Sequence, residues 1–294
     1  MENKETVGRN AAIDIAKGLL ILCVVIGHGT HNQSLSDFLF FNHLHDLNRI
    51  IHYLYGGRFI NGVYWYITSL YIALVAAVIL LDKLNKKQLI AIGIVGGSTA
   101  IMESNIIDSI SFLERPGIPF DADVSLLVLS YLIVGYILKD KIVDLFRRQS
   151  LKIDIIAAGV ATLLILEHLL MERYGMPGQI DMKYVVYKNP ISVYVMPVLY
   201  GFVIARLSAL IERSCRRLNR FFAYMGSITI PIMFLHEPLN RFCPLASNLL
   251  FYLLIGIGIP VLFSIIVSKF KCCKYFGIPK RKYIHEICSS KKMN

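Results

Sequence analysis

Three ionisable residues interrupt the first apolar stretch of the chain, residues 11–31: Asp14, Lys17 and His28. Each charge inside a membrane helix costs about 2.5–3.5 kcal/mol on insertion scales, so such residues usually serve a function. A helix turns about 100° per residue, which places all three on one face with about 16 Å between Lys17 and His28. An imidazole suits general-base chemistry near neutral pH, and an ammonium can hold an anionic group.

The composition indicates what kind of chain carries these residues. It has 294 residues, of which 55% are hydrophobic and 17% charged, and its mean hydropathy is +0.57. These values are typical of a polytopic membrane protein. The net charge is +11, but the lysines and arginines lie between apolar segments. We therefore expect the charge to set the membrane topology, with no nucleic-acid partner.

The sequence predicts an all-α integral membrane protein, a polytopic bundle of about eight transmembrane helices with eight to ten as the range. The count assumes about 20 residues for a hydrocarbon core of roughly 30 Å. The predicted spans are Ala11–Thr30, Gly62–Leu81, Gln88–Ile107, Val124–Leu138, Ile153–Met171, Pro190–Ile211, Tyr224–Arg241 and Asn248–Ser268.

The distribution of basic residues predicts that both termini are cytoplasmic. With the N-terminus inside, cytoplasmic segments hold 22 lysines and arginines and external segments hold 7. Such a bias is what the positive-inside rule requires. We expect a membrane domain over residues 1–268 and a basic tail over residues 269–294 that lies on anionic lipid.

Residues 32–61 do not fit this pattern. They are aromatic and amphipathic but too polar to span with ease, so we expect an interfacial or re-entrant helix on the outer side. A ninth span here would invert every later loop and break the charge pattern.

Polar residues of several spans fall at a common depth. Counted from the cytoplasmic end of each predicted span, at about 1.5 Å per residue, they lie in the outer half of the membrane. This set is His28, Glu103, Glu167, His168, His236 and Glu237. The common depth predicts a shared polar cavity, with Lys17 nearer the cytoplasm. His236 and Glu237 form a second candidate acid–base pair.

Sequence signals for other chemistry are weak. The histidines at positions 31, 43, 45 and 52 have no specific ligand spacing, so no metal site is predicted. No phosphate-binding loop with the Walker spacing is present, which argues against an ATP-driven pump.

The spacing Arg9-x4-Asp14-x2-Lys17-Gly18-x9-His28 resembles the first-helix signature of the membrane acyltransferase family 3, the O-acetyltransferases that modify cell-surface sugars. Three later segments are similar to this family in the same order: residues 61–70, 123–136 and 225–236. Two features depart from it. Lys17 stands where the family often has arginine, and residues 32–61 lack a clear equivalent of an early family helix.

The resemblance implies acetyl-CoA as the donor, a saccharide or lipid-linked glycan as the acceptor, and a multi-pass location in the cell membrane. Attack of an alcohol on a thioester needs a base near neutral pKa, which assigns His28 as the general base, and Lys17 would hold phosphate or the pantetheine arm of the donor. Asp14 either orients or neutralises Lys17 or is purely structural. Trp65, Arg58 and Asn61, at the outer mouth of the predicted topology, suit a sugar. Trp65 equally fits the aromatic belt of a membrane interface.

Two other interpretations stay open. In a transporter, the same buried charges would form a proton or substrate path. A catalytically degenerate family member would keep the fold and lose the reaction. No inverted repeat is visible in the sequence, and the oligomeric state is not predicted.

Overall fold

The fold is that of a computed structural model, which describes residues 11–30, 64–106, 118–174, 180–182, 185–187, 189–241, 243, 246, 248–270 and 278. These residues are almost entirely helical, so the predicted all-α polytopic fold is confirmed. The helix expected within residues 32–61 and nearly all of the basic tail lie outside the described residues.

Eleven α-helices and one short hairpin make up the described chain. In order, they are α1 (Ala11–Thr30), α2 (Tyr64–Lys83), α3 (Lys86–Ile106), α4 (Ala122–Ile137), α5 (Lys139–Arg147), α6 (Leu151–Arg173), β1 (Ile180–Asp181), β2 (Val186–Tyr187), α7 (Pro190–Ser214), α8 (Arg216–Ser227), α9 (Thr229–Arg241), α10 (Leu249–Leu253) and α11 (Ile259–Val267). A 3-10 turn, Pro119–Asp121, precedes α4, and a π turn, Leu254–Gly258, joins α10 to α11.

Seven helical segments are long and apolar enough to cross a membrane, or eight if one bent pair counts as a span. Their positions match the eight predicted spans, except at the seventh. There α8 and α9 meet at Ile228 with a bend of 79°, which is the geometry of a broken span or a re-entrant loop. The basic segment after α4 also forms a short helix, α5.

The described residues divide between two compact units. The first comprises residues 1–36, 146–149 and 203–294, and the second comprises residues 37–145 and 150–202. In the first unit α1 packs against α8, α9 and α10, and in the second α4 packs against α2 and α3.

Two glycines allow α1 to cross α8 at close range in the first unit. A Cβ built at Gly18 would overlap the backbone carbonyl of Phe222, and one at Gly226 would overlap the carbonyl of Asp14 and lie 3.0 Å from the Gly18 nitrogen. Ile15 and Leu19 of α1 are buried beside this crossing together with Ala223. Small residues at such crossings let helix backbones approach closely without side chains in between.

The second unit shows how a helix accommodates an internal proline. Pro197 lies inside α7 and has no N–H with which to bond the carbonyl of Val193 one turn earlier. The hydroxyl of Tyr131 in α4 donates to that carbonyl instead, at 2.7 Å. Ser130 of the same helix donates to the carbonyl of Gly93 in α3, at 2.8 Å. The core of this unit therefore combines apolar packing with interhelical hydrogen bonds.

Local sequence explains where several helices begin. The Asn85 side chain accepts hydrogen bonds from the Lys87 and Gln88 nitrogens, and the Gln88 side chain accepts one from the Asn85 nitrogen. This reciprocal capping box satisfies N–H groups that a helix start leaves unpaired. Asn248 caps α10 in the same manner, accepting from the Leu250 nitrogen at 2.9 Å.

Proline also accounts for the π turn. Pro260 cannot donate the α-type hydrogen bond to the carbonyl of Gly256, and its ring crowds that carbonyl. The turn immediately before it, Leu254–Gly258, widens to the π form. Such single π turns inside α-helices are frequent at functional sites.

Candidate functional site

The N-terminal half of α1 carries an ion pair. Lys17 Nζ lies 3.8 Å from Asp14 Oδ1, and the side chains are 54% and 5% exposed respectively. The predicted contact between these residues is therefore confirmed. The Asp14 carboxylate is buried, while the Lys17 side chain keeps about half of its surface and can still meet an anion.

The opposite end of α1 brings together two histidines from separate predicted spans. The rings of His28 and His236 have centroids 5.2 Å apart and are tilted by 60°. His236 is completely buried, and His28 keeps part of its surface. Since α1 packs against α9 in the first unit, the pair is formed by helix packing and not by sequence proximity.

Hydrogen bonds to the backbone fix the orientation of the His236 ring. Nδ1 lies 2.9 Å from the Ile232 carbonyl and 3.0 Å from the Met233 carbonyl. Carbonyl oxygens only accept, so Nδ1 carries the proton and Nε2 of the neutral ring carries the lone pair. Nε2 is buried and has no hydrogen-bond partner among the described residues. An unsatisfied buried polar atom costs about 1–3 kcal/mol, which calls for an explanation in terms of function or binding.

Asn240 places further polar atoms on the same face of α9, one turn beyond His236. The side chain is 5% exposed, and within the described part of the chain neither Nδ2 nor Oδ1 has a hydrogen-bond partner. Gly256 of the π turn faces both residues. Sequence reasoning missed Asn240, although its spacing of four from His236 on an apolar helix is a usable signal.

Glu237, the predicted partner of His236, is half-buried and lies next to it in the chain. Adjacent residues on a helix do not face each other. Because Nε2 has no partner among the described residues, Glu237 does not bond to it. The His236 ring is in contact with the His28 ring, and the role of Glu237 beside it stays a prediction.

Trp65 belongs to the second unit, at the start of α2. Its ring is half-buried and stands edge-on to Tyr66, with centroids 6.1 Å apart. The Thr68 hydroxyl lies 2.9 Å from the Trp65 carbonyl and 3.3 Å from Asp121 Oδ2. Trp65 is therefore next to a polar patch that the sequence did not predict.

Asp121 and Asp123 are buried at the start of α4, and Asp121 belongs to that patch through Thr68. Phe120 and Asp121 have left-handed backbone conformations, with φ of 61° and 54°. Such a conformation costs on the order of 1–2 kcal/mol per residue outside glycine, least for Asp and Asn. The Ser125 hydroxyl donates to the Asp121 carbonyl at 3.2 Å, which helps to hold the turn.

The other residues predicted at the common depth belong to the second unit. Glu103 is buried and Glu167 half-buried in the second unit, and His168 is exposed on α6. Arg58 and Asn61 lie outside the described residues, so their predicted role at a sugar stays a prediction. No group of three or more His, Cys, Asp or Glu side chains is placed to hold a metal ion within the described ranges.

The first unit thus holds a half-exposed ammonium on α1 and, at the other end of that helix, an imidazole pair formed between α1 and α9. A pair of imidazoles can move a proton, and an ammonium can hold an anion. Comparisons with protein-family models, with curated proteins and with solved structures give no match.

Proposed function

We propose that the chain is a membrane-embedded O-acyltransferase of the cell membrane. It moves an acetyl group from acetyl-CoA to a hydroxyl of a cell-surface saccharide or of its lipid-linked precursor. The observation that carries the proposal is the contact between His28 and His236, with an unpartnered lone pair at His236 Nε2 among the described residues. The resemblance of the first helix supplies the reaction class.

The imidazole pair has the parts that acyl transfer requires. Attack of a hydroxyl on a thioester needs a base near neutral pKa to take the hydroxyl proton. His28 keeps exposed surface and serves as that base. His236 Nε2 is held within ring contact and accepts a hydrogen bond from the His28 imidazolium, in the way that the third member of a catalytic triad orients its histidine.

The reaction balances without another reactant. The hydroxyl oxygen bonds to the acyl carbon as its proton moves to His28. The bond from carbon to sulfur then breaks, and the proton passes from His28 to the departing thiolate. CoA thiol and the acetyl ester are the products, and His28 returns to its neutral form.

Lys17 provides the donor end of the site in this proposal. With the N-terminus in the cytoplasm, Lys17 lies near the side from which acetyl-CoA arrives, and its half-exposed ammonium can hold phosphate or the pantetheine arm. Asp14 keeps the ammonium in place. The acceptor binds from the outer side, and Trp65, Arg58 and Asn61 are the residues whose side-chain chemistry suits a sugar.

The test is acetyl transfer by the purified protein, with radiolabelled acetyl-CoA and a panel of candidate glycans. We expect the wild type to label a glycan and the His28→Ala variant to lose about 100-fold to 10,000-fold in rate, the range that general bases contribute. The matched control is His168→Ala, which removes an exposed histidine of another membrane helix and should keep wild-type activity.

Each outcome decides the proposal. Labelling that depends on His28 and not on His168 supports it, and near-normal turnover by a folded His28→Ala variant refutes His28 as the base. Binding of acetyl-CoA without transfer to any glycan favours a degenerate acyltransferase, and absence of donor binding refutes acetyl-CoA as the donor.

One observation favours a transporter as the second candidate. The 79° bend between α8 and α9 resembles the discontinuous helices that bind substrates in transporters, and His236 follows it on α9. A transporter would move a labelled substrate or protons across the membrane of proteoliposomes without forming an acetyl ester. Flux that depends on His236, in protein that neither binds nor uses acetyl-CoA, would favour this candidate.

A further inference from the structure

We propose that the Asn240 side-chain amide binds the carbonyl oxygen of the acyl group, an assignment that rests on the proposed acyl transfer. In this role Asn240 Nδ2 donates to the oxygen that becomes negatively charged when the hydroxyl adds to the thioester. Gly256 has no side chain, which leaves room for the Asn240 amide.

The first argument for this role is the position of Asn240 relative to His236. The two residues are four apart on α9, so their side chains project from one face with about 6 Å of helix rise between them. His236 is in ring contact with His28, the proposed base. The amide and the imidazole pair therefore line the same side of α9, as an oxyanion donor and a base must.

The second argument is that the Asn240 side chain has no hydrogen-bond partner among the described residues. A buried asparagine that serves only to join membrane helices is hydrogen-bonded across the interface. Asn240 is 5% exposed, yet for both polar atoms of its amide the described chain provides no partner. With His236 Nε2, this makes three unsatisfied buried polar atoms on one helix face. Nε2 is assigned to His28 in the proposed reaction, and the Asn240 amide supplies a donor that fits a neutral carbonyl.

The third argument is the close approach of Gly256 to Asn240 and His236. A Cβ built on it would lie 2.7 Å from Asn240 Nδ2, 3.3 Å from His236 Cβ and 3.4 Å from Val25 Cγ1. The bare backbone of the π turn therefore faces the amide and the imidazole directly. Any side chain at this position would press on the Asn240 amide and displace the donor.

An asparagine donor suits the developing charge. A neutral amide aimed at the acyl oxygen binds the negative tetrahedral intermediate more strongly than the neutral thioester, so it lowers the barrier without holding the substrate too tightly. Removing one such donor from a preorganised site typically lowers kcat by about 10²–10³-fold.

The first experiment compares Asn240→Leu and Asn240→Asp with the wild type, as full-length protein in detergent. Leucine keeps the branched shape and removes both polar atoms, whereas a buried, protonated aspartate keeps the shape and replaces the N–H donor by an O–H donor. We expect kcat to fall about 100-fold in Asn240→Leu and less in Asn240→Asp, while the KM for acetyl-CoA stays within about threefold in both. The melting temperature of Asn240→Leu should equal or exceed that of the wild type, because two unsatisfied buried atoms are gone.

The second experiment uses the two glycines of the π turn as a matched pair. Gly256→Ala should lower kcat, whereas Gly258→Ala should not, since a Cβ at Gly258 meets nothing within 4 Å. Infrared spectra of bound acetyl-CoA labelled with 13C at the acyl carbonyl give a readout besides activity. The carbonyl stretch should shift to higher frequency in Asn240→Leu than in the wild type.

The outcomes separate this assignment from the proposed function. Wild-type kcat in Asn240→Leu, or equal effects of Gly256→Ala and Gly258→Ala, overturns the role of Asn240 and leaves acyl transfer standing. A wild-type protein that neither binds acetyl-CoA nor transfers its acyl group overturns both. A fall in kcat with an unchanged melting temperature and a shifted carbonyl stretch supports the assignment.

Discussion

Toward its N-terminus α1 crosses α8 so closely that neither Gly18 nor Gly226 has room for a Cβ, and its buried carboxylate, Asp14, pairs with Lys17. At its other end, α1 brings His28 against a histidine whose outward nitrogen has no partner among the described residues. At the N-terminal end of α1 the backbones of two helices are in close contact, whereas at its C-terminal end buried polar atoms are left without hydrogen bonds among the described residues.

This difference shows where stability and activity should separate within a single helix. Close packing gains dispersion and apolar contacts, so a change at the crossing should appear first as lost stability. Unsatisfied polar atoms cost stability and persist where a function requires them. A change at the imidazole end should therefore appear first as lost activity.

The largest expected effect tests the imidazole end. In His236→Asn the amide N–H can replace Nδ1 as the donor to the Ile232 carbonyl, but nothing replaces Nε2. We expect kcat for acetyl transfer to fall about 100-fold, at the low end for a group that assists a general base, with little change in the KM for acetyl-CoA. Steady-state kinetics and thermal melting of the purified variant check this.

His168→Asn is the control for His236→Asn, because it makes the same substitution at an exposed position. Unchanged kcat in His236→Asn would show that the ring contact with His28 is packing alone. A melting temperature of His236→Asn several degrees below the wild type would show that His236 contributes to stability. That result would contradict the expectation that changes at the imidazole end affect activity first.

The next effect tests the crossing. Gly226→Ala forces a methyl group against the Asp14 carbonyl and the Gly18 nitrogen, so the helices must move apart. Overpacking of this kind costs about 1–3 kcal/mol. We expect a lower melting temperature in detergent, with the kcat of the surviving folded protein nearly unchanged.

Gly27→Ala is the matched control on the same helix, because a Cβ there would meet nothing within 4 Å. Its melting temperature should stay at the wild-type value. Equal melting temperatures for Gly226→Ala and wild type would mean that the crossing is looser than the structure has it.

The smallest effect concerns the ion pair. Lys17→Met keeps the length of the side chain and removes the charge, and we expect it to raise the KM for acetyl-CoA about tenfold, the equivalent of one charge-assisted contact of about 1.4 kcal/mol. Lys17→Arg keeps the charge and should retain most of the affinity. A donor KM that is the same in Lys17→Met and wild type would remove Lys17 from the donor site.

Much of this architecture follows from local sequence. Apolar length predicts the spans, and the predicted Ala11–Thr30 is helical throughout as α1. Helical spacing predicts the Asp14–Lys17 contact, because residues three apart are neighbours on any helix. Depth along separate spans grouped His28 with His236, and these two rings are in contact. The rest of that group stays a prediction.

The parts that sequence reasoning missed depend on how helices pack. Asn240 lies against Gly256, which belongs to another helical segment. The residue pattern within α9 does not reveal that neighbour. The bend at Ile228 divides an apolar run that satisfies the length criterion for one span. Asp121 became visible only through the left-handed turn that buries it at the start of α4. The cytoplasmic orientation of the termini stays a prediction from charge.

The π turn determines how α11, which follows it, is rotated about the helix axis. A π turn closes from residue i to i+5 instead of i+4, so it is equivalent to one residue inserted into an α-helix. Deleting a single residue from Leu254–Gly258 would let the last span run on as an ordinary α-helix and rotate α11 by about 100°. Pro260 and Ser264, both buried now, would turn away from the interior. In this span a one-residue deletion would therefore do more damage than most substitutions.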